Sequence, residues 1–187
     1  MNLRPTSLRC LTLSLFAYLA ITASASAGTI QAWLLHSGDW RDSVVSTDPK
    51  EKESLEKNGW KLSGTGNLQS EAQKGAAPLH RFARAGKGVT DRMLESNPAK
   101  VAQHLKNGYT DEGVLGYVSS EEKPGLKPVH HFTKDDLHFW LIDLRDQPAA
   151  EERGWKASGV SFWLWPVAET PAPAARTPAP AAKKTTK

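Results

Sequence analysis

Three stretches of this chain carry the same markers in the same order, and a fixed internal period constrains a fold more than any other single feature of a sequence. The first marker is an alternating apolar run. Ile30-Gln31-Ala32-Trp33, Leu79-His80-Arg81-Phe82 and Val129-His130-His131-Phe132 place Trp33, Phe82 and Phe132 at spacings of 49 and 50 residues. The second is a capping residue with a glycine 11 residues later, as Asp48 to Gly59, Asn97 to Gly108 and Asp143 to Gly154. Asp and Asn accept hydrogen bonds from the free amides of a helix's first turn, and Gly takes the left-handed conformation that ends it. Pro49 and Pro98 follow the first two caps, where a missing amide costs nothing. Glu51 and Asp146 stand three residues past their caps, where a carboxylate can return the capping bond. The third marker is an aromatic directly after that glycine, Trp60, Tyr109 or Trp155, with a second glycine, Gly64, Gly113 or Gly159, five residues beyond the first.

These markers predict an α+β domain of three pseudo-symmetric β-β-α-β repeats, about 29–70, 77–120 and 127–166, with short helices and mainly antiparallel strands. Second strands are expected over 43–47, 92–96 and 138–142, and closing strands over 60–68, 109–118 and 155–165. A unit of this size has one apolar face and cannot bury it alone, so the three are expected to close around a shared centre. The third unit differs, with 11 residues from Phe132 to Asp143 against 15 in the other two, and with Pro148 inside its helix. Thr65-Gly66-Asn67 stand where the third unit has Val160-Ser161-Phe162, which predicts a weaker, more exposed closing strand in the first unit. Divergence of this kind would leave one competent site.

The ends are a different kind of sequence. Residues 1–27 have the layout of a secretory signal, with Arg4 and Arg9 ahead of an apolar stretch of 12 residues and the small residues Ala23, Ala25 and Ala27 at the cut. A bilayer-spanning helix needs roughly 20 apolar residues, so the stretch predicts export, and a periplasmic or secreted domain over 28–168 with no membrane span. The only cysteine, Cys10, lies inside that signal, so the mature fold is expected to rest on packing without disulfides. Residues 169–187, rich in Pro, Ala and Lys, lack the apolar side chains needed for a core and read as a disordered basic tail. Between the two ends, 18 Lys and Arg face 19 Asp and Glu. That balance argues against a nucleic-acid partner, which calls for a basic folded face.

The stretch 138–163 resembles the secreted bacterial repeat family catalogued as a domain of unknown function, DUF5648. In that family a His-Phe-Tyr-Thr-Thr-Asp run leads into the helix, and His138-Phe139-Trp140-Leu141-Ile142-Asp143 matches its His, Phe and Asp. The resemblance covers roughly 30–166 and implies a compact three-unit module, often found beside secreted hydrolases, with no established catalytic residues to carry over. Ser43-Val44 and Arg92-Met93 depart from the His-Phe pair in the other two units.

Chemistry is thinly signalled. No nucleophile elbow, phosphate loop or mature cysteine is present, and Asp135-Asp136 and Glu121-Glu122 read as solvated turn carboxylates. His80 and His130 recur at one strand position, opposite Gln31 in the first unit, and His130-His131 with His138 is the one cluster near a metal-ligand spacing. No enzyme activity, metal or cofactor is expected. The aromatics remain. Trp33, Phe82, Phe132, Trp60, Tyr109 and Trp155 recur in register and read as core anchors, whereas Trp40, Trp140, Trp163 and Trp165 lack a partner in every unit and are the candidate ligand-binding residues. Flat indoles stack on sugar faces, so the expected function is a monomeric, non-catalytic module for a glycan or another envelope polymer. The alternative is a structural or protein-interaction domain whose basic tail attracts acidic partners.

Overall fold

The computed structural model describes residues 28–86 and 88–167; the expected signal segment and the Pro/Ala/Lys tail lie outside them. Three successive segments each run strand, strand, helix, strand. The first holds β1 (Thr29–His36), β2 (Ser43–Ser46), α1 (Pro49–Lys57) and β3 (Lys61–Gln69). The second holds β4 (Ala76–Ala85), β5 (Thr90–Glu95), α2 (Pro98–Lys106) and β6 (Thr110–Ser119). The third holds β7 (Lys127–Lys134), β8 (Leu137–Leu141), a 3₁₀ turn (Leu144–Asp146) running into α3 (Gln147–Glu151), and β9 (Lys156–Leu164). The described strands pair antiparallel, and in each segment the opening strand lies between the second and closing strands.

The helices stand where the caps and glycines put them. Asp48, Asn97 and Asp143 accept from the backbone amides of Lys50, Ala99 and Arg145. At the other end Gly59, Gly108 and Gly154 have φ of 85°, 83° and 86°, the left-handed conformation that lets the following aromatic's amide fold back. Trp60, Tyr109 and Trp155 thus donate to the carbonyls of Leu55, His104 and Ala150. Pro148 explains the tightened first turn of the third helix, because its ring cannot accommodate the carbonyl of a preceding α-turn. Glu51 does not return the bond to its cap; it accepts from the Ser46 hydroxyl and pairs with Arg81 of the second segment.

The pairing register corrects the alignment of the first opening strand. Phe82 faces Met93 and Phe132 faces Phe139, each partner four residues before its cap, and the residue so placed in the first segment is Leu35, facing Val44. Trp33, two residues earlier, faces Ser46 and matches His80 and His130, not Phe82 and Phe132. Gln31 is correspondingly not the match of the two histidines. The sequence spacing misled because the three hairpins differ: residues 37–42 link β1 to β2, 86–89 link β4 to β5, and the two-residue turn Asp135-Asp136 links β7 to β8.

Closing strands meet at their ends. Gln69 pairs with Tyr117, Ser119 with Trp163, and Asn67 with Trp165, so β3, β6 and β9 touch pairwise in a ring. Leu68, Val118 and Leu164 sit fully buried beside that ring. Gly66 is required there, since a Cβ would lie 2.7 Å from the Leu164 side chain. The first closing strand is therefore the more buried one, and β9 the more exposed, opposite to the expectation from Thr65-Gly66-Asn67. Leu79, Phe82, Val129, Trp140 and Phe162 extend this core, and Phe132, Phe139, Leu141 and Trp155 form a second cluster within the third segment. Each such large side chain contributes about 2–3 kcal/mol by leaving water.

Candidate binding cleft between segments two and three

Register-matched positions let the three inter-segment junctions be compared residue by residue. The position facing the residue three before each cap is Leu34, Arg81 or His131, opposite Val45, Leu94 or Trp140. Between segments one and two this position is filled by Arg81. Its guanidinium donates to Glu51 at 2.9 Å and to the Val45 carbonyl at 3.1 Å, and lies 2.7 Å from Glu112. Burial works against that charge, but the two carboxylates outweigh it and raise the guanidinium's pKa.

Between segments two and three the same place holds His131, and both of the arginine's acidic partners are gone: Lys100 takes the position of Glu51 three residues past the cap, and Ser158 that of Glu112. The His131 ring turns away, stacks on Trp140 with centroids 4.3 Å apart, and meets His138 with Nε2 2.9 Å from Nδ1. Burial, helped by His138 and Lys100, pushes His131 down to about 4, and burial likewise lowers His138. The result is an open cleft of about 490 Å³, walled by Glu95, Lys100, Gln103 and His104 on one side and by Ser161 and Phe162 on the other, with Trp140 at its floor. Glu95 Oε2 and His104 Nε2 are 3.1 Å apart, and the His104 ring packs between Phe82 and Tyr109. The matched side chains are Leu55 and Ala150, so this histidine is particular to the second segment.

A buried polar network ties segment two to segment three. Asp91, 2 % exposed, accepts from the Tyr109 hydroxyl, from Arg84 at 3.1 Å and from the His138 amide at 3.0 Å. Burial and the Asp91 carboxylate push the Tyr109 phenol up, so it stays protonated as the donor. Asp42 matches Asp91, both standing six residues before their caps, and forms an ion pair with Arg92. Its Oδ1 has no partner, and burial outweighs Arg92 to push this carboxyl up to about 7.

The tryptophans singled out from the sequence fall differently. Trp140 is 1 % exposed, so it is a core residue and offers a ligand only the edge that borders the cleft. Its backbone amide donates to the Ser43 hydroxyl across segments. An alternating strand with His138 and Trp140 on one face gives no sign of which face is covered, because the neighbouring segment does the covering. Trp163 and Trp165 are half-buried in the ring of closing strands, and Trp40 is half-buried against Phe139. Of the anchors, Phe82, Phe132, Tyr109 and Trp155 are buried, while Trp33 and Trp60 are half-buried. His131 and His138 do meet, but among the described residues no three His, Cys, Asp or Glu side chains converge as for a metal ion. Nor is any described helix long and apolar enough to cross a membrane. Sequence reading passed over Arg81, Glu95 and His104; the signal that could have found them is the loss of Glu51 and Glu112 at the positions of Lys100 and Ser158.

The model of the family described as a domain of unknown function (DUF5648) matches residues 33–165. No curated protein and no solved structure matches the chain.

Proposed function

From the premise that the chain belongs to the DUF5648 family, we propose that it is an exported, non-catalytic binding module that takes a glycan or another envelope polymer in the cleft between segments two and three. The three segments are read as diverged copies about a pseudo-threefold axis, supported by the matched triads Leu35, Phe82 and Phe132 and Leu34, Arg81 and His131. Export to the periplasm or beyond rests on the signal-like residues 1–27.

One observation carries the binding reading. At matched positions the junction between segments one and two is plugged by a paired arginine, while that between segments two and three is open over about 490 Å³ and lined by an amide, an ammonium, an imidazole and a hydroxyl beside an indole edge. Donors and acceptors convergent on an aromatic edge are what a polyhydroxylated ring needs for orientation and contact.

Glycan arrays probed with the full chain and with the Ser161→Trp and Gln103→Ala variants test this. Both positions are exposed, so both variants are expected to keep the parent's thermal midpoint, which a melt checks. Binding by the parent that Ser161→Trp abolishes and Gln103→Ala weakens about tenfold supports the cleft. Equal binding by all three proteins places recognition elsewhere and ends the reading.

A further inference from the structure

A second concavity lies where the first hairpin's loop crosses to the third segment, and the cleft takes no part in it. Trp40 is carried there at φ 62°, in a region that bulky side chains avoid. The loop is tied to hold it: the Ser37 hydroxyl accepts from the amides of Arg41 and Asp42, the Ser37 carbonyl from the Trp40 amide, and the Trp40 carbonyl from Trp155 Nε1 at 2.8 Å. The indole stands 4.0 Å from the His36 ring centroid and 5.6 Å from that of Phe139, so it is fixed before any ligand arrives.

Around Trp40, Trp155 and Leu137 opens a pocket of about 370 Å³ whose rim bears Arg41, Lys134, Arg153 and Asp39. Asp39 pairs with Arg41 at 3.4 Å. Lys134 donates to the Arg153 carbonyl, and Arg153 donates to the Ala149 carbonyl with its guanidinium 5.1 Å from the Trp40 ring centroid. Neither cation has a carboxylate partner among the described residues. Two cations without carboxylate partners beside a pre-set indole define a chemistry: an anionic group reaching the ammonium and the guanidinium fork, on a ring whose apolar body rests against Leu137 and the part of Trp40 that borders the pocket.

We infer that this pocket is a second binding site, for a saccharide bearing a carboxylate, of the hexuronic-acid class. The site is independent of the cleft. Its test is calorimetric titration of the full chain, with tryptophan fluorescence in parallel, using a galacturonic acid tetramer and its carboxyl-reduced neutral counterpart. The acidic tetramer is expected to bind at least tenfold more tightly than the neutral one, and to weaken as salt rises. The Lys134→Glu/Arg153→Glu double variant should lose at least tenfold for the acidic tetramer. Both side chains are exposed, so an unchanged thermal midpoint shows that this loss is not unfolding. Trp40→Phe, which keeps an aromatic in place, should lose severalfold. Ser161→Trp should change nothing, and that separates this site from the cleft. Equal affinity for the two tetramers, no binding of either, indifference to the double variant, or loss through Ser161→Trp would each overturn the assignment.

Discussion

The junction between segments one and two and the junction between segments two and three use the same strand positions and end in opposite conditions. In the first, Arg81 is drawn in by Glu51 and Glu112 and fills the space. In the second, those carboxylates have become Lys100 and Ser158, an arginine there would be a buried cation without partners, and His131 lies flat on Trp140 instead. Three differences at matched positions separate the seal from the opening. The open junction thus differs from the sealed one both by the salt bridge it lacks and by the groups it gains, Lys100 and His104.

Trp140 and Leu94 occupy matched positions beside His131 and Arg81. Trp140→Ala should cost about 3–5 kcal/mol in denaturant unfolding, and Leu94→Ala about 2–4 kcal/mol. A near-neutral Trp140→Ala would mean that the indole is not the cleft's foundation. The next effect concerns the seal itself. Arg81→Met keeps the stem's packing but leaves Glu51 and Glu112 without their cation, and should cost about 2–3 kcal/mol at pH 7. Much of that loss should return at a pH low enough to protonate both carboxylates, whereas a loss that ignores pH would assign Arg81 to packing alone.

Acid titration sharpens the contrast further. His131, pushed down to about 4 by burial, takes no proton in the folded state between pH 6.5 and 4, while the unfolded chain does. Its contribution is therefore present above pH 6.5 and lost as pH falls towards 4. Asp42, pushed up to about 7 by burial, acts in the opposite sense: the folded state holds a proton that the unfolded state lacks, so its contribution grows as pH falls from 7 towards 4. His131→Gln should therefore gain stability on acidification from pH 7 to 4.5 relative to the parent, and Asp42→Asn should lose about 2 kcal/mol over the same range. Parallel profiles for the two variants would show that neither group is buried in the charge state described.

The succession of elements was legible because capping and helix-ending glycine are local devices: Asp48, Asn97 and Asp143 with Gly59, Gly108 and Gly154 need only their own neighbours. The register of β1 was not legible. Trp33 is the conspicuous aromatic, but the plain Leu35 is the residue that matches Phe82, and only the strand partners distinguish them. The candidate site fared similarly. Trp140 stands out in the sequence as lacking a counterpart in every unit, yet its burial is imposed by a neighbouring segment, which a strand's alternation does not encode. Glu95 and His104 are unremarkable in sequence and acquire meaning only from the histidine across the junction.

The ring of closing strands also governs how the domain can be wired to others. Thr29 and Trp165 both pair with β3, at Gln69 and Asn67, on its two sides. The ends of the folded part thus lie about 12 Å apart, two strand spacings across and two residues along β3. Such a body can be spliced into a host polypeptide at a surface loop without prising its host open. Its own chain could equally be reordered, cut at the Asp135-Asp136 turn and fused across the old ends by a few glycines, with each strand pairing kept.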